Sequence, residues 1–324
     1  MVTDRVSLNF SSEVFKHIFV EKDGLPHFKV YLAGEWVAKE EFRDIQSPID
    51  LNTYARITKL DKETVDRVIE IVYKRGRWSI RDTPGEKRLK IFNKLADLFE
   101  EYRADLVNVL IIGNAKTKAM ANGEVNASVE RLRRSDMDVR RMYGEYVPGD
   151  WSTESLESEA IIRREPYGVV LAITPFNYPL FDAVNKLVYS TVAANAIILK
   201  PSLSTPLPAI MLARLLELAG FPKEAFAILP LNGQEIEGYL GDRRISVISL
   251  TGSSETGQKV IQKSSIKSFI MELGGGDPAI VLSDADPNYA ASRIAVGITS
   301  YSGQRCDSIK LILAEPAIYE QLKQ

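Results

Sequence analysis

An α/β fold built on a parallel sheet is predicted by two patterns in this 324-residue chain. Short wholly apolar runs alternate with helical segments from Gly168 onward. Glycine and small polar residues gather at the carboxyl ends of those runs. Apolar strands separated by helices imply a parallel sheet covered on both faces, and such sheets bind ligands beyond the carboxyl ends of their strands.

The elements follow in order. Residues 1–60 mix short extended segments with turns: Val30-Tyr31-Leu32, then Ala33-Gly34-Glu35-Trp36, then Ser47-Pro48-Ile49-Asp50. Asp61 opens an amphipathic helix with Val65, Val68, Ile69 and Val72 on one face. Thr83-Pro84-Gly85-Glu86 predicts a second helix, with Thr83 as N-cap, Pro84 at the first helical position and Glu86 completing a capping box. A third, arginine-rich helix is expected from Val125 to Tyr143. Pro148-Gly149-Asp150 and the polar run Ser152–Ser158 predict a hairpin excursion before Val170.

The alternating part follows. Val169–Ile173 is a strand and a helix follows Pro179. Ala196–Leu199 is a strand, and Pro206–Ala219 is a helix stopped by Gly220 and Pro222. Phe226–Leu229 and Ser246–Leu250 are strands, the latter followed by a helix from Glu255. After Asp277 a new unit begins, with a strand at Ala279–Leu282, a helix near Tyr289–Ser302 and a strand at Ile309–Leu313. That unit lacks most of a core, so the chain reads as a C-terminally truncated part of a longer protein.

Composition narrows the function. Apolar residues make up 45% of the chain and the formal net charge is -2. No basic excess points to nucleic acid, and no apolar run is long enough to span a bilayer. Met1-Val2-Thr3-Asp4-Arg5 leads into a mixed polar segment, unlike the apolar core of a signal peptide. Cys306 is the only cysteine, so it forms no intrachain disulfide and fits a reducing, cytoplasmic setting. The only histidines are His17 and His27, which makes a Cys/His metal site improbable; no metal is expected.

Several short strings carry chemistry. Gly303-Gln304-Arg305-Cys306 places the lone thiol in a polar setting suited to a nucleophile; alone, it fits a small buried hydrophobe as well. Glu272-Leu273-Gly274-Gly275-Gly276 offers a carboxylate base. Thr251-Gly252-Ser253-Ser254-Glu255-Thr256-Gly257 joins a strand to a helix and can present N–H groups and Ser253 to a phosphate; by itself it equally describes an N-cap turn. Lys200, after a strand, can bind a nucleotide ribose or phosphate, or simply be a solvated lysine. Asn177 can offer its amide to an oxyanion, or serve a turn.

Together, Thr174-Pro175-Phe176-Asn177-Tyr178-Pro179, Lys200-Pro201-Ser202, Thr251-Gly252-Ser253, Glu272-Leu273-Gly274-Gly275 and Gly303-Gln304-Arg305-Cys306, in that order, resemble the aldehyde dehydrogenase superfamily along essentially the whole chain. Ile173–Asp182, Met271–Pro278 and Gln304-Arg305-Cys306-Asp307 resemble its archaeal non-phosphorylating glyceraldehyde-3-phosphate dehydrogenases. The resemblance implies that Cys306 is the nucleophile, that Asn177 and the Cys306 N–H bind the oxyanion, and that Glu272 activates the hydrolytic water. It implies a cofactor site made of Thr174, Pro175, Phe176, Lys200, Ser202, Gly252, Ser253, Gly257 and Leu273. Many NAD-preferring relatives carry Glu where this chain has Leu203. Losing that carboxylate predicts that NADP is accepted or preferred, with NAD as the other cofactor. Tyr178, Arg305 and Arg133 are the expected contacts to a small anionic aldehyde.

The resemblance further implies a parallel-sheet Rossmann-like cofactor domain over residues 1–147 and 169–273, a bridging hairpin at 148–168 that supports a homo-oligomer (dimer or tetramer), and an incomplete α/β catalytic domain at 274–324. A further family glutamate and a C-terminal strand are expected beyond Gln324. The leading expectation is oxidation of glyceraldehyde 3-phosphate to 3-phosphoglycerate in glycolysis. The alternatives are another semialdehyde dehydrogenase, or an inactive truncated nucleotide-binding or assembly subunit.

Overall fold

Among the described residues, seven strands make the central sheet, in the order Ser268–Glu272, Val247–Thr251, Val169–Ile173, Ala196–Lys200, Phe226–Ile228, Val30–Leu32 and Glu35–Val37. The structure is a computed structural model and describes residues 6–324; the Met1–Arg5 segment read above lies outside them. The first five strands are parallel. An antiparallel hairpin, Val30–Leu32 with Glu35–Val37, extends the Phe226–Ile228 edge. From Val169–Ile173 the chain steps outward twice to one side. It then returns to lay Val247–Thr251 on the other side. That reversal creates a switch point, where loops from neighbouring strands diverge and leave a crevice.

Burial follows position in the sheet. Val169–Ile173 and Ala196–Lys200 are buried at every residue, because helices cover both faces and leave no side for polar alternation. One continuous core runs from Leu8 to Val260. The edge strand Ser268–Glu272 is only half covered, and its Phe269 and Met271 pack against that core. Its intermediate-exposed pattern lacks the wholly apolar run by which the other strands are recognised, and sequence reading passed over it.

Helix boundaries depart from expectation where side chains take other partners. Asp61 does cap the Lys62–Ile71 helix, accepting the Thr64 N–H at 2.7 Å. Thr83 does not cap the next one. Its hydroxyl donates to the Ser79 carbonyl at 2.7 Å, and the helix runs Gly85–Glu101 with Pro84 at the cap. A capping box does form at Asn232 and Glu235, opening a Gly233–Leu240 helix that was not anticipated; nor was the Arg103–Asn114 helix. The third expected helix begins earlier and breaks. Thr117 caps Lys118–Arg133, and a short Ser135–Val139 helix follows Arg134. The hairpin excursion pairs Glu145–Pro148 with Glu159–Ile162.

Beyond Gly276 a second unit pairs Asp277–Val281 with Ile309–Ala314 in parallel, flanked by the Pro287–Thr299 and Pro316–Lys323 helices. Val281, Ile294 and Ile318 form its buried core. Ile280, Leu282, Leu311, Ile312 and Leu313 remain exposed.

Candidate active site

The switch-point crevice encloses about 670 Å³ and gathers most of the strings singled out in the sequence. Thr174, Pro175, Phe176 and Asn177 follow the central strand. Lys200 and Ser202 follow its neighbour, and Gly252 and Ser253 follow Val247–Thr251. Gly303, Gln304, Arg305 and Cys306 close the far end. Parallel strands all end on this side, so loops from distant parts of the chain converge here.

One half of the crevice is built to meet a polar, anionic ligand. Lys200 is buried, and its ammonium donates to the Pro201 carbonyl at 3.1 Å. Burial pulls its pKa down to about 8, with Glu235 opposing the fall. Ser253 caps the Ser254–Lys263 helix, accepting the Thr256 N–H at 3.1 Å. The Thr174 hydroxyl is buried and has no hydrogen-bond partner among the described residues. Leu203 lines the wall as well, so no carboxylate stands at that position. Gly257 and Leu273 were expected on this wall and are not part of it. They pack on each other, and a Cβ at Gly257 would come within 2.9 Å of Leu273 Cδ2. Their contribution is the close approach of helix to strand.

The other half holds the thiol. Cys306 is exposed and follows a turn in which Tyr301, Ser302 and Gly303 all have positive φ. Its carbonyl oxygen lies 3.1 Å from where a Cβ on Gly275 would stand, so any larger residue there would crowd this loop. The Asn177 side-chain amide donates to the Gln304 carbonyl at 2.9 Å, and its own oxygen accepts the Tyr178 N–H at 3.1 Å. The two motifs, far apart in sequence, are therefore joined directly. Arg305 binds Asp307 through two bonds of 3.0 and 2.7 Å, and that pairing holds the Asp307 carboxyl below its ordinary range.

Three expected site residues stand elsewhere. Glu272 does not share the crevice of Cys306. It lines a second cavity of about 760 Å³ with Asn185, Lys186, Ser249 and Ile270, because strand alternation turns it away from Met271, which faces the core. There Lys186 donates to the Ser249 hydroxyl at 3.0 Å. Burial lowers Lys186 to about 8 and raises Asp182 to about 6, each partly offset by the other's charge. Tyr178 is outside the crevice lining, with the Lys116 ammonium 4.1 Å from its ring centroid, yet its hydroxyl stays close enough to Arg305 and Cys306 to feel their charges. Arg133 is on the outer surface and binds Asp97 at 2.7 Å. Helical spacing turns Arg131 inward instead, onto Asn185 at 3.0 Å and Asp138 at 2.5 Å.

Sequence reading missed Lys116, Glu124 and Asn114, which brace the site from behind. A signal existed. On the Lys118–Arg133 helix, Glu124 sits in the buried stripe of Ala121, Val125, Ser128 and Leu132, and a carboxylate within such a stripe needs a partner. Starting that helix at Val125 hid the pattern.

Among the described residues no group of acids, histidines and cysteine could hold a metal, and no helix is long and apolar enough to cross a membrane. Residues 36–324 match the aldehyde dehydrogenase family. An NADP-dependent glyceraldehyde-3-phosphate dehydrogenase of Streptococcus equinus is 31% identical over 297 residues, 91% of this chain and 62% of that protein. A lactaldehyde dehydrogenase of Methanocaldococcus jannaschii is 30% identical, over 90% of this chain and 62% of its own length. The crystal structure of NADP-dependent glyceraldehyde-3-phosphate dehydrogenase from Bacillus halodurans complexed with NADP superposes with a TM-score of 0.87 at 32% identity, covering 91% of this chain and 63% of that one. The chain thus spans about 62% of the length of the curated relatives it matches.

Proposed function

The chain belongs to the aldehyde dehydrogenase family, and from that premise we propose that it carries the cofactor site and nucleophile for NADP-linked oxidation of an anionic aldehyde to its carboxylate. The observation that carries this reading is the single crevice running from Lys200 and Ser253 to Asn177 and Cys306. The substrate that fits the relatives is glyceraldehyde 3-phosphate, with 3-phosphoglycerate as product.

The residues present suit a phosphorylated dinucleotide. Thr174 offers a buried hydroxyl without a partner among the described residues. Ser253 and Gly252 stand at a helix N-terminus, where N–H groups favour phosphate. Lys200 stands ready for a ribose hydroxyl or the 2′-phosphate, and Leu203 brings no carboxylate to repel that phosphate. NADP, when bound, supplies the hydride acceptor.

The remaining work falls to the chain's own groups. Cys306 Sγ adds to the aldehyde carbon, forming a C–S bond and placing negative charge on the oxygen. The Asn177 amide has two N–H donors. Gln304 takes one, and that bond aims the other at the oxyanion beside the Cys306 N–H. Departure of hydride from the same carbon leaves a thioester. Glu272, at the last position of its strand, swings past the strand end to take a proton from the attacking water. Hydrolysis then returns the thiol and releases the carboxylate. Arg305 exchanges Asp307 for the substrate's anionic group.

We assign residues 1–147 and 169–273 to cofactor binding, 148–168 to a bridging hairpin and 274–324 to the catalytic part. The exposed Ile161 and Ile162 of the hairpin, with Tyr146 on the strand paired to them, suit contact with a second copy. The substrate reading is tested by comparing glyceraldehyde 3-phosphate, succinic semialdehyde and lactaldehyde with NADP and with NAD. The expected best pair is glyceraldehyde 3-phosphate with NADP. Preference for neutral lactaldehyde would overturn the anionic-substrate reading.

A further inference from the structure

We infer that a buried network headed by Lys116 and Glu124 positions the Asn177 amide against the Cys306 loop. The inference rests on the active-site reading above and adds residues outside the crevice to it. Lys116 and Glu124 form an ion pair with side chains 1% and 0% exposed. An ion pair so buried is a poor route to stability, because desolvation offsets its attraction. Its geometry points to another use.

Each atom of the pair reaches one side of the Asn177 turn or the loop of Cys306. Glu124 Oε1 accepts the backbone N–H groups of Leu180 at 2.9 Å and Phe181 at 3.1 Å, pinning the turn where it enters its helix. Glu124 Oε2 holds Lys116. The Lys116 ammonium faces two rings, Tyr178 at 4.1 Å and Tyr301 at 4.8 Å from their centroids. Tyr178 follows Asn177 directly, and Tyr301 begins the turn that leads to Cys306.

A second strap closes the frame. Asn114 Nδ2 donates to the Phe176 carbonyl at 2.5 Å, fixing the residue before Asn177. The Tyr301 hydroxyl donates to the Asn114 carbonyl at 3.2 Å. Tyr301 holds φ 52° and ψ 40°, a left-handed conformation unfavourable for a bulky side chain, and its ring and hydroxyl are anchored at both ends. The same frame thus grips Phe176, Tyr178 and Leu180 on one side and Tyr301 on the other. Asn177 and Gln304, which bond each other, lie between. Lys116, Glu124, Asn114 and Tyr301 are positioning residues: they act through Asn177.

The test uses Tyr301→Phe, which removes the hydroxyl and keeps the ring, with Lys116→Met as a second variant. Asparagine side-chain amides are labelled with nitrogen-15, and the Asn177 pair is identified by its loss in Asn177→Ala. The Asn177 signals are expected to shift in both variants while those of Asn195, at the amino end of the Ala196–Lys200 strand and away from the crevice, stay in place. Unchanged Asn177 signals in folded variants would overturn the inference.

A chemical readout accompanies it. Glyceraldehyde 3-phosphate adds reversibly to the Cys306 thiol, the thiol proton passing to the new oxygen, and thereby protects the sulfur from alkylation by iodoacetamide. Tyr301→Phe should weaken that protection about two- to tenfold, as loss of a hydrogen bond would, with no further loss when combined with Asn177→Ala. Multiplying losses would show that Tyr301 acts independently of Asn177 and would count against the inference. Undiminished protection in Asn177→Ala itself would sink the oxyanion role of Asn177, while the amide signals still decide the network.

Discussion

The strands beneath the crevice and the strands beyond Gly276 are both short, parallel and apolar, yet they live in opposite surroundings. Val169–Ile173 is buried throughout. In Ile309–Ala314, Leu311 is 50% exposed and no residue is fully buried. The sequences differ little in character. The covering differs: helices close both faces of the first sheet, and only three residues form the buried core of the second unit. The proposed reaction divides along the same line. Cofactor-facing residues stand on the rigid sheet, and the thiol stands on the thinly covered unit. The bond from Asn177 to Gln304 and the frame behind it hold the halves in register.

This division can be broken from either side. The largest effect is expected at Cys306. Cys306→Ala should lower aldehyde oxidation by at least about a thousandfold, since a covalent nucleophile has no substitute. NADP binding, followed by fluorescence titration, should persist because the sheet is untouched. Joint loss of both would show that the halves are not separable.

Stability comes next. Leu171→Ala, in the fully covered strand, should cost about 2–5 kcal/mol in denaturant melts, as cavity-forming core changes do. Leu311→Ala should cost under about 0.5 kcal/mol, as at surface sites. Equal costs would mean that Leu311 is covered in solution by something further.

The cofactor changes are smaller. Lys200→Ala should weaken NADP more than NAD by about 1–3 kcal/mol, the range of a charge-assisted hydrogen bond, and Leu203→Glu should shift preference toward NAD. Equal losses in Lys200→Ala would place Lys200 on the shared ribose. The smallest effect is a pH dependence. The buried Lys200 ammonium titrates near pH 8 in the free protein. Below that the charge is present and attracts the 2′-phosphate; as pH rises through 8 the proton leaves and the attraction fades. NADP affinity measured calorimetrically should therefore fall above pH 8, by at most about tenfold per pH unit for one proton, with NAD less affected. A flat profile would remove Lys200 from the phosphate.

Much of the parallel sheet was legible because burial on both faces leaves wholly apolar runs, as in Ala196–Lys200. Ser268–Glu272 was not, because a half-covered edge strand mixes Ser268, Ile270 and Glu272 with Phe269 and Met271. The crevice was legible for a similar reason. Its residues sit at strand ends, where glycine, serine and lysine break the apolar pattern. Side-chain direction was not legible. The resemblance implied Glu272 beside the nucleophile and Leu273 on the cofactor wall, and strand alternation sends Glu272 to a second cavity. Arg133 carried a suitable group but turns to the surface onto Asp97, whereas Tyr178 stays near Arg305 and Cys306 from outside the crevice lining. Lys116 and Glu124 form no recognisable string, because their partners are each other, backbone N–H groups and ring faces; the buried stripe around Glu124 was their signal.

The central claim is that Cys306 carries the acyl group. Its most direct measurement is mass spectrometry of the Glu272→Gln variant after brief mixing with NADP and glyceraldehyde 3-phosphate. Slowed hydrolysis should leave a 3-phosphoglyceroyl thioester on the peptide containing Cys306, released by hydroxylamine and formed in step with NADPH. NADPH formation with an unmodified Cys306, or an acyl group on any other residue, would contradict the account.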